Sequence, residues 1–122
     1  MLELRKDYIL DRWVIISEKR EKRPRELKKV ETQKSGEVCF FCPGNEHLTP
    51  PEIGRVEKNG KWIIRWFPNK FPAVCEEGNP LLQKDGRFFA HKAAFGNHEV
   101  IVETPDHSKQ LWDLSTKRLV DI

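Results

Sequence analysis

Short runs of β-branched and aromatic residues, separated by turn signals, dominate the hydrophobic pattern of this chain. Trp13-Val-Ile-Ile-Ser17 reads as a strand. With Leu4–Tyr8 leading in and Ile9–Arg12 turning, residues 4–17 form a predicted hairpin. Ile53–Val56 and Lys61–Trp66 flank Lys58-Asn-Gly60, and Asn-Gly is a strong hairpin turn signal. Trp62, Ile64 and Trp66 alternate with Lys61, Ile63 and Arg65, which predicts one more apolar face. Phe67-Pro-Asn-Lys-Phe-Pro-Ala-Val74 cannot continue a central strand, because its prolines lack the ladder N–H. This bend is either a plug of two core phenylalanines or the floor of a pocket in which Asn69 supplies donors and an acceptor. Cys75–Gly86 reads as loop, Arg87–Ala90 as a short strand, Ala93–Asn97 as a turn, and His98–Glu103 as a strand with three apolar residues at its centre. A helix is expected to start near Asp113-Leu-Ser115, with Ser115 as N-cap and Leu119 and Ile122 on one face. It has barely completed two turns at residue 122, so we expect the sequence to be part of something longer.

Charge changes this picture little. The chain has 122 residues, enough for one domain, and is 38% hydrophobic and 34% charged. Its net charge of +3 is too small to imply a nucleic-acid partner by itself. Seven of the cations lie between Lys19 and Lys29, interleaved with Glu18, Glu21 and Glu26, and Pro24 argues against a helix through them. That run is either a solvated loop or an anion clamp. Arg20 and Arg23 follow directly on a strand, and guanidinium forks bind phosphate oxygens bidentately. No apolar run approaches the roughly 18 residues of a membrane span. No signal peptide opens the chain, and three cysteines cannot make an even disulfide framework, so a soluble cytoplasmic protein with reduced thiols is expected.

The candidate chemistry centres on Glu37-Val-Cys-Phe-Phe-Cys-Pro-Gly-Asn45. Cys39 and Cys42 are separated by two residues, so both sulfurs can reach one point, as a tetrahedral zinc site requires. Two thiolates cannot close such a site, and the chain must return with more ligands. A redox pair is the alternative for the cysteines. His47, five residues after Cys42, is one candidate ligand; Cys75 is left over as a spectator.

Four stretches, in this order, resemble the galactose-1-phosphate uridylyltransferases of the histidine-triad superfamily. They are Trp13–Ser17 with Arg20-Glu-Lys-Arg-Pro24; Cys39–Asn45; Phe67–Ala73; and His98-Glu-Val-Ile-Val-Glu-Thr-Pro-Asp-His-Ser108. The resemblance covers nearly the whole chain, as the N-terminal portion of such an enzyme, residues 1–122 ending early in a helix. It implies an α+β fold: an antiparallel half-barrel sheet with a packed helix, histidine-triad-like and incomplete in this chain. It implies zinc bound by Cys39, Cys42 and His107, with a fourth ligand in a later segment; His47 and His98 are weaker candidates for the open position. It places Arg20 and Arg23 on substrate phosphates, Phe40 and Phe41 along the nucleotide pocket, Asn69 and Phe71 beside ribose and base, and Val100 as a wall of the base site, which favours the pocket reading of the Phe67–Ala73 bend.

The implied reaction is nucleotidyl exchange between UDP-glucose and galactose 1-phosphate through a covalent uridylyl-histidine. The family's nucleophile lies in a His-Pro-His segment; this chain has only His47, His91, His98 and His107, none in that context, so no catalytic residue is assigned. A homodimer, or a second segment supplying the missing half, is expected. Lys70 stands where many members carry an acidic residue, and an ammonium cannot accept a hydrogen bond from a ribose hydroxyl. A relative acting on adenylyl sugars therefore stays open, as does a zinc-bearing nucleic-acid-binding module, which rests on the Cys-x-x-Cys loop, the basic run and the interspersed aromatics.

Overall fold

The computed structural model describes residues 2–22 and 38–122. The chain divides into two compact units, Met1–Glu26 with Phe71–His98, and Leu27–Lys70 with Glu99–Ile122. Each is built on antiparallel sheet, and helix is scarce.

In the first unit, β1 (Leu2–Lys6) pairs with β2 (Trp13–Ser17) from Leu2↔Ser17 to Lys6↔Trp13. The expected hairpin is present, and Asp7 shapes its turn. The Asp7 carboxylate accepts the N–H groups of Ile9 (2.9 Å) and Leu10 (3.2 Å) and the Arg12 Nε–H (3.1 Å). Those backbone donors, Ile9 first, hold its pKa below the usual value. β5 (Gln83–Asp85) and β6 (Phe89–Ala93) complete the sheet in the order β2-β1-β6-β5. Residues 75–86 are thus not all loop as expected, and β6 reaches three residues further than the predicted strand. Three polar residues in β5 carry no apolar alternation, so only their pairing to Phe89–His91 marks them as strand.

In the second unit, β3 (Gly54–Lys58), β4 (Lys61–Pro68) and β7 (Glu99–Val102) form a sheet with β4 in the centre. Asn59 and Gly60 both have positive φ, 54° and 72°, the pairing that a two-residue primed turn demands. Pro68 is tolerated because β3 has already ended opposite Trp66, leaving β4 locally an edge.

One irregularity decides what β4 presents. Val56 pairs with Ile64 and Glu57 with Trp62, so Ile63 is an extra, unpaired residue. A bulge of this kind shifts the alternation by one position. The predicted face of Trp62, Ile64 and Trp66 is therefore broken: Trp62 joins Phe67 and Val102 in the buried cluster, with Val100 packed against it. The free carbonyl of Ile63 is taken by Arg118, whose Nη2 donates to it at 2.8 Å and to Glu103 O at 3.1 Å. Arg118 lies on α1 (Thr116–Val120), which starts as predicted at Ser115, whose Oγ accepts the Arg118 N–H. Five residues cannot sustain a helix alone, so this anchor to the sheet holds it.

Candidate metal centre

The loop from Val38 to Asn45 is folded by its own polar groups. Asn45 Nδ2 donates to Cys39 O (2.8 Å) and the Asn45 N–H to Cys42 O (3.1 Å), which draws the turn shut over the two cysteines. Gly44 takes φ 92°, a left-handed conformation, and its N–H donates to Glu46 Oε2 at 2.9 Å. Glu46 Oε1 in turn accepts the Trp62 Nε1–H at 2.7 Å, tying the loop to the start of β4. Glu46 is held below the ordinary carboxyl pKa, first by its own backbone N–H, then by Trp62, Gly44 and the Arg65 charge, against an opposing push from burial.

The second approach comes from the end of β7. Asp106 Oδ1 accepts the N–H (3.1 Å) and hydroxyl (2.7 Å) of Ser108, and the Asp106 N–H donates to Thr104 Oγ1 (3.2 Å). Between these contacts stands His107, whose Nδ1 lies 3.3 Å from Cys42 Sγ. One ligand atom each from Cys39, Cys42 and His107 lies within 4.8 Å of the others. Zinc bonds of about 2.3 Å to sulfur and about 2.0–2.1 Å to nitrogen place tetrahedral ligand atoms roughly 3.5–3.8 Å apart. The three groups fit a metal of that kind with small side-chain adjustments. The thiols titrate as a pair. Burial raises the Cys39 pKa, but the Phe41 N–H, the Cys42 thiol and N–H and the Arg65 charge outweigh it and hold it below the ordinary thiol value. Burial and the neighbouring Cys39 hold Cys42 up.

His47 sits exposed in a 3-10 turn, Glu46–Leu48, and belongs to no such group among the described residues. His98 instead accepts the Ala73 N–H at its Nδ1, 2.9 Å away. All three cysteines are free thiols.

The other expected site residues fall in both units. Phe40, Phe41, Asn69 and Val100 belong to the second unit, and Arg20 and Phe71 to the first. Phe40 and Phe41 are exposed beside the cysteines, and the Phe41 ring stacks on Phe67 with centroids 6.2 Å apart. Asn69 is half-buried just beyond β4, and Phe71 is half-buried. Val100 packs on the Trp62–Phe67–Val102 cluster, in which Phe67, the first residue of the bend, is core. Arg20 ends a 3-10 turn, Glu18–Arg20, directly after β2 and is half-buried; Arg23 lies outside the described residues.

The model of the N-terminal domain of galactose-1-phosphate uridyl transferase matches residues 2–122. The chain belongs to this family. ADP-glucose phosphorylase of Arabidopsis thaliana is 35% identical over 98% of the chain and 36% of its own length. Galactose-1-phosphate uridylyltransferase of Thermotoga maritima is 30% identical over 98% of the chain and 32% of its own length. Among solved structures, a uridylyltransferase aligns over 98% of the chain and 32% of its own with a TM-score of 0.58 at 31% identity. The Arabidopsis phosphorylase with bound ADP-glucose aligns over 99% of the chain and 34% of its own with a TM-score of 0.53 at 32% identity. The chain thus spans about a third of the length of the curated relatives it matches.

Within this uridyl transferase domain, sequence reasoning missed the group beneath the loop. Arg65 is fully buried. It donates from Nη1 to Thr49 Oγ1 (3.0 Å) and Glu52 Oε1 (3.4 Å), and from Nη2 to Phe41 O (3.3 Å) and Phe40 O (3.5 Å). The signal was an arginine inside Trp62-Ile-Ile-Arg-Trp-Phe67. A cation in an apolar strand is buried only when partners compensate it.

Proposed function

We propose that this chain is the N-terminal part of a galactose-1-phosphate uridylyltransferase, which moves a uridylyl group between UDP-glucose and hexose 1-phosphate in galactose metabolism. The observation that carries the reading is the convergence of Cys39, Cys42 and His107, from two distant stretches, in a chain that matches the family from residue 2 to 122. Zinc bound there, with a fourth ligand from a later segment, would act as a structural cross-link, with every position filled by protein. The domain is then half of a histidine-triad-like barrel, completed by a later segment or by a second copy in a homodimer, and the enzyme works in the cytoplasm. Among the described residues no helix is long and apolar enough to cross a membrane.

Arg20 and Arg23 would neutralise charge on the phosphoryl oxygens as the bond to the leaving hexose phosphate breaks. Phe40, Phe41, Asn69, Phe71 and Val100 would hold the nucleoside. The attacking imidazole comes from the later His-Pro-His segment, and we assign no catalytic residue here. Family membership favours this enzyme over a nucleic-acid-binding module. A second reading, transfer from adenylyl sugars, is favoured by Lys70 and by the 35% identity to an ADP-glucose phosphorylase.

The test is nucleotidyl exchange by the complete gene product, with UDP-glucose and ADP-glucose in competition. Faster uridylyl transfer to galactose 1-phosphate is the expected result. Preference for ADP-glucose would move the substrate class, and no exchange with either would defeat the reading.

A further inference from the structure

The buried cation under the cysteine loop has work to do that packing alone does not explain. A guanidinium removed from water must be compensated, and an apolar residue of similar size would fill the same space without that cost. Compensation at Arg65 is uneven. Its one short hydrogen bond goes to Thr49, while its Nε is buried without an acceptor among the described residues. Glu52 Oε1 accepts at 3.4 Å, and the two remaining partners lie in the loop: the consecutive carbonyls of Phe40 and Phe41, which are the two residues between the cysteines. Its Cζ lies over two rings, 5.2 Å from the Trp62 centroid and 4.9 Å from the Phe67 centroid, and both attract the cation.

We propose that Arg65 is the positioning residue of the metal loop. By gathering both carbonyls of the Cys-x-x-Cys turn from below, it fixes the turn so that Cys39 and Cys42 point their sulfurs at His107. The inference rests on the metal reading above. Three observations carry it. A planar fork with several donors can hold two successive carbonyls and a hydroxyl at once, which a lysine ammonium cannot match in geometry. The Arg65 backbone pairs across the sheet with Val102, at the end of the strand that leads to His107, while its side chain reaches the cysteine loop, so a single residue meets both ligand-bearing segments. Its orientation depends on the bulge at Ile63, since without the extra residue Arg65 would face away from Trp62. Groups that orient metal ligands in this way commonly change affinity about 10–100-fold when removed.

The test uses the complete gene product, wild type and Arg65→Met, Arg65→Lys, Thr49→Val and Thr49→Ser. Zinc affinity is measured by chelator competition, and the ligand field by the absorption spectrum of the cobalt-substituted protein. Expected are one zinc in wild type, about 10–100-fold weaker binding with an altered cobalt spectrum in Arg65→Met, and partial recovery in Arg65→Lys. Thr49→Val should weaken binding less, and Thr49→Ser should restore it. If wild type binds zinc and Arg65→Met matches it in affinity and spectrum, the positioning role is overturned while the metal site stands. If wild type binds no metal, the site itself falls and the role with it. Should Arg65→Met fail to fold, the threonine pair decides: equal zinc affinity in Thr49→Val and Thr49→Ser overturns the proposal.

Discussion

Replacing His107 by alanine should cut zinc affinity steeply. The structure supplies three converging ligands, Cys39, Cys42 and His107, within 4.8 Å, and neither His47 nor His98 joins them. Structural zinc sites with four ligands bind with an apparent free energy of about 10–16 kcal/mol. An equal share per ligand is about 2.5–4 kcal/mol, or roughly 10²–10³-fold in affinity. Because the side chain is exposed, the substitution removes little packing, and the variant without metal should melt close to wild type without metal. His107→Cys should recover much of the loss, since a thiolate is an equally good zinc ligand. Competition with a chromophoric chelator reads the affinity, and elemental analysis the stoichiometry. Unchanged zinc content in His107→Ala would remove this residue from the site and refute the geometry argument.

Three other outcomes follow from single contacts. Gly54→Ala would drive a Cβ into the Trp66 ring, so denaturant unfolding should show a loss of about 1–3 kcal/mol; an unchanged midpoint would mean the ring moves freely. Glu46→Gln keeps an acceptor for Trp62 but loses the charge, at about 1 kcal/mol near neutrality after allowing for partial exposure. Because the folded pKa of Glu46 is lowered, that contribution is present above the unfolded carboxyl pKa and disappears as pH falls through the folded one. The stability gap between wild type and Glu46→Gln should therefore close in acid, and a pH-independent gap would contradict the assignment. Arg20→Ala and Arg23→Ala should each weaken UDP-sugar binding by the complete enzyme about tenfold or more, as loss of a charge-assisted contact implies, without lowering the melting temperature; unaltered affinity in both by calorimetry would defeat the clamp.

What could be read from the sequence is what local chemistry dictates. Asn59-Gly60 forms the expected turn because few other pairs accept two positive φ values in succession. Ser115 caps the last helix for the same local reason, and the spacing of Cys39 and Cys42 announces two sulfurs on one side of a turn. The invisible parts depend on partners far away in the chain. β5 is a strand only because β6 is beside it. The face of β4 was misjudged because alternation assumes an unbroken ladder, and nothing near Ile63 signals the extra residue. Its carbonyl is satisfied by Arg118, 55 positions later. That one irregularity puts Trp62, Arg65 and Phe67 on a common face, and so brings a buried cation beneath the loop where the cysteines sit. Two arginines that belong to no motif are tied to this irregularity. Arg118 closes the carbonyl of the bulge, and Arg65 uses the face the bulge creates. A charged residue placed inside an apolar strand is costly unless it is fully paired. At Arg65 two of the four hydrogen bonds go to the backbone of the candidate site, which makes the strand's least hydrophobic position its most informative one.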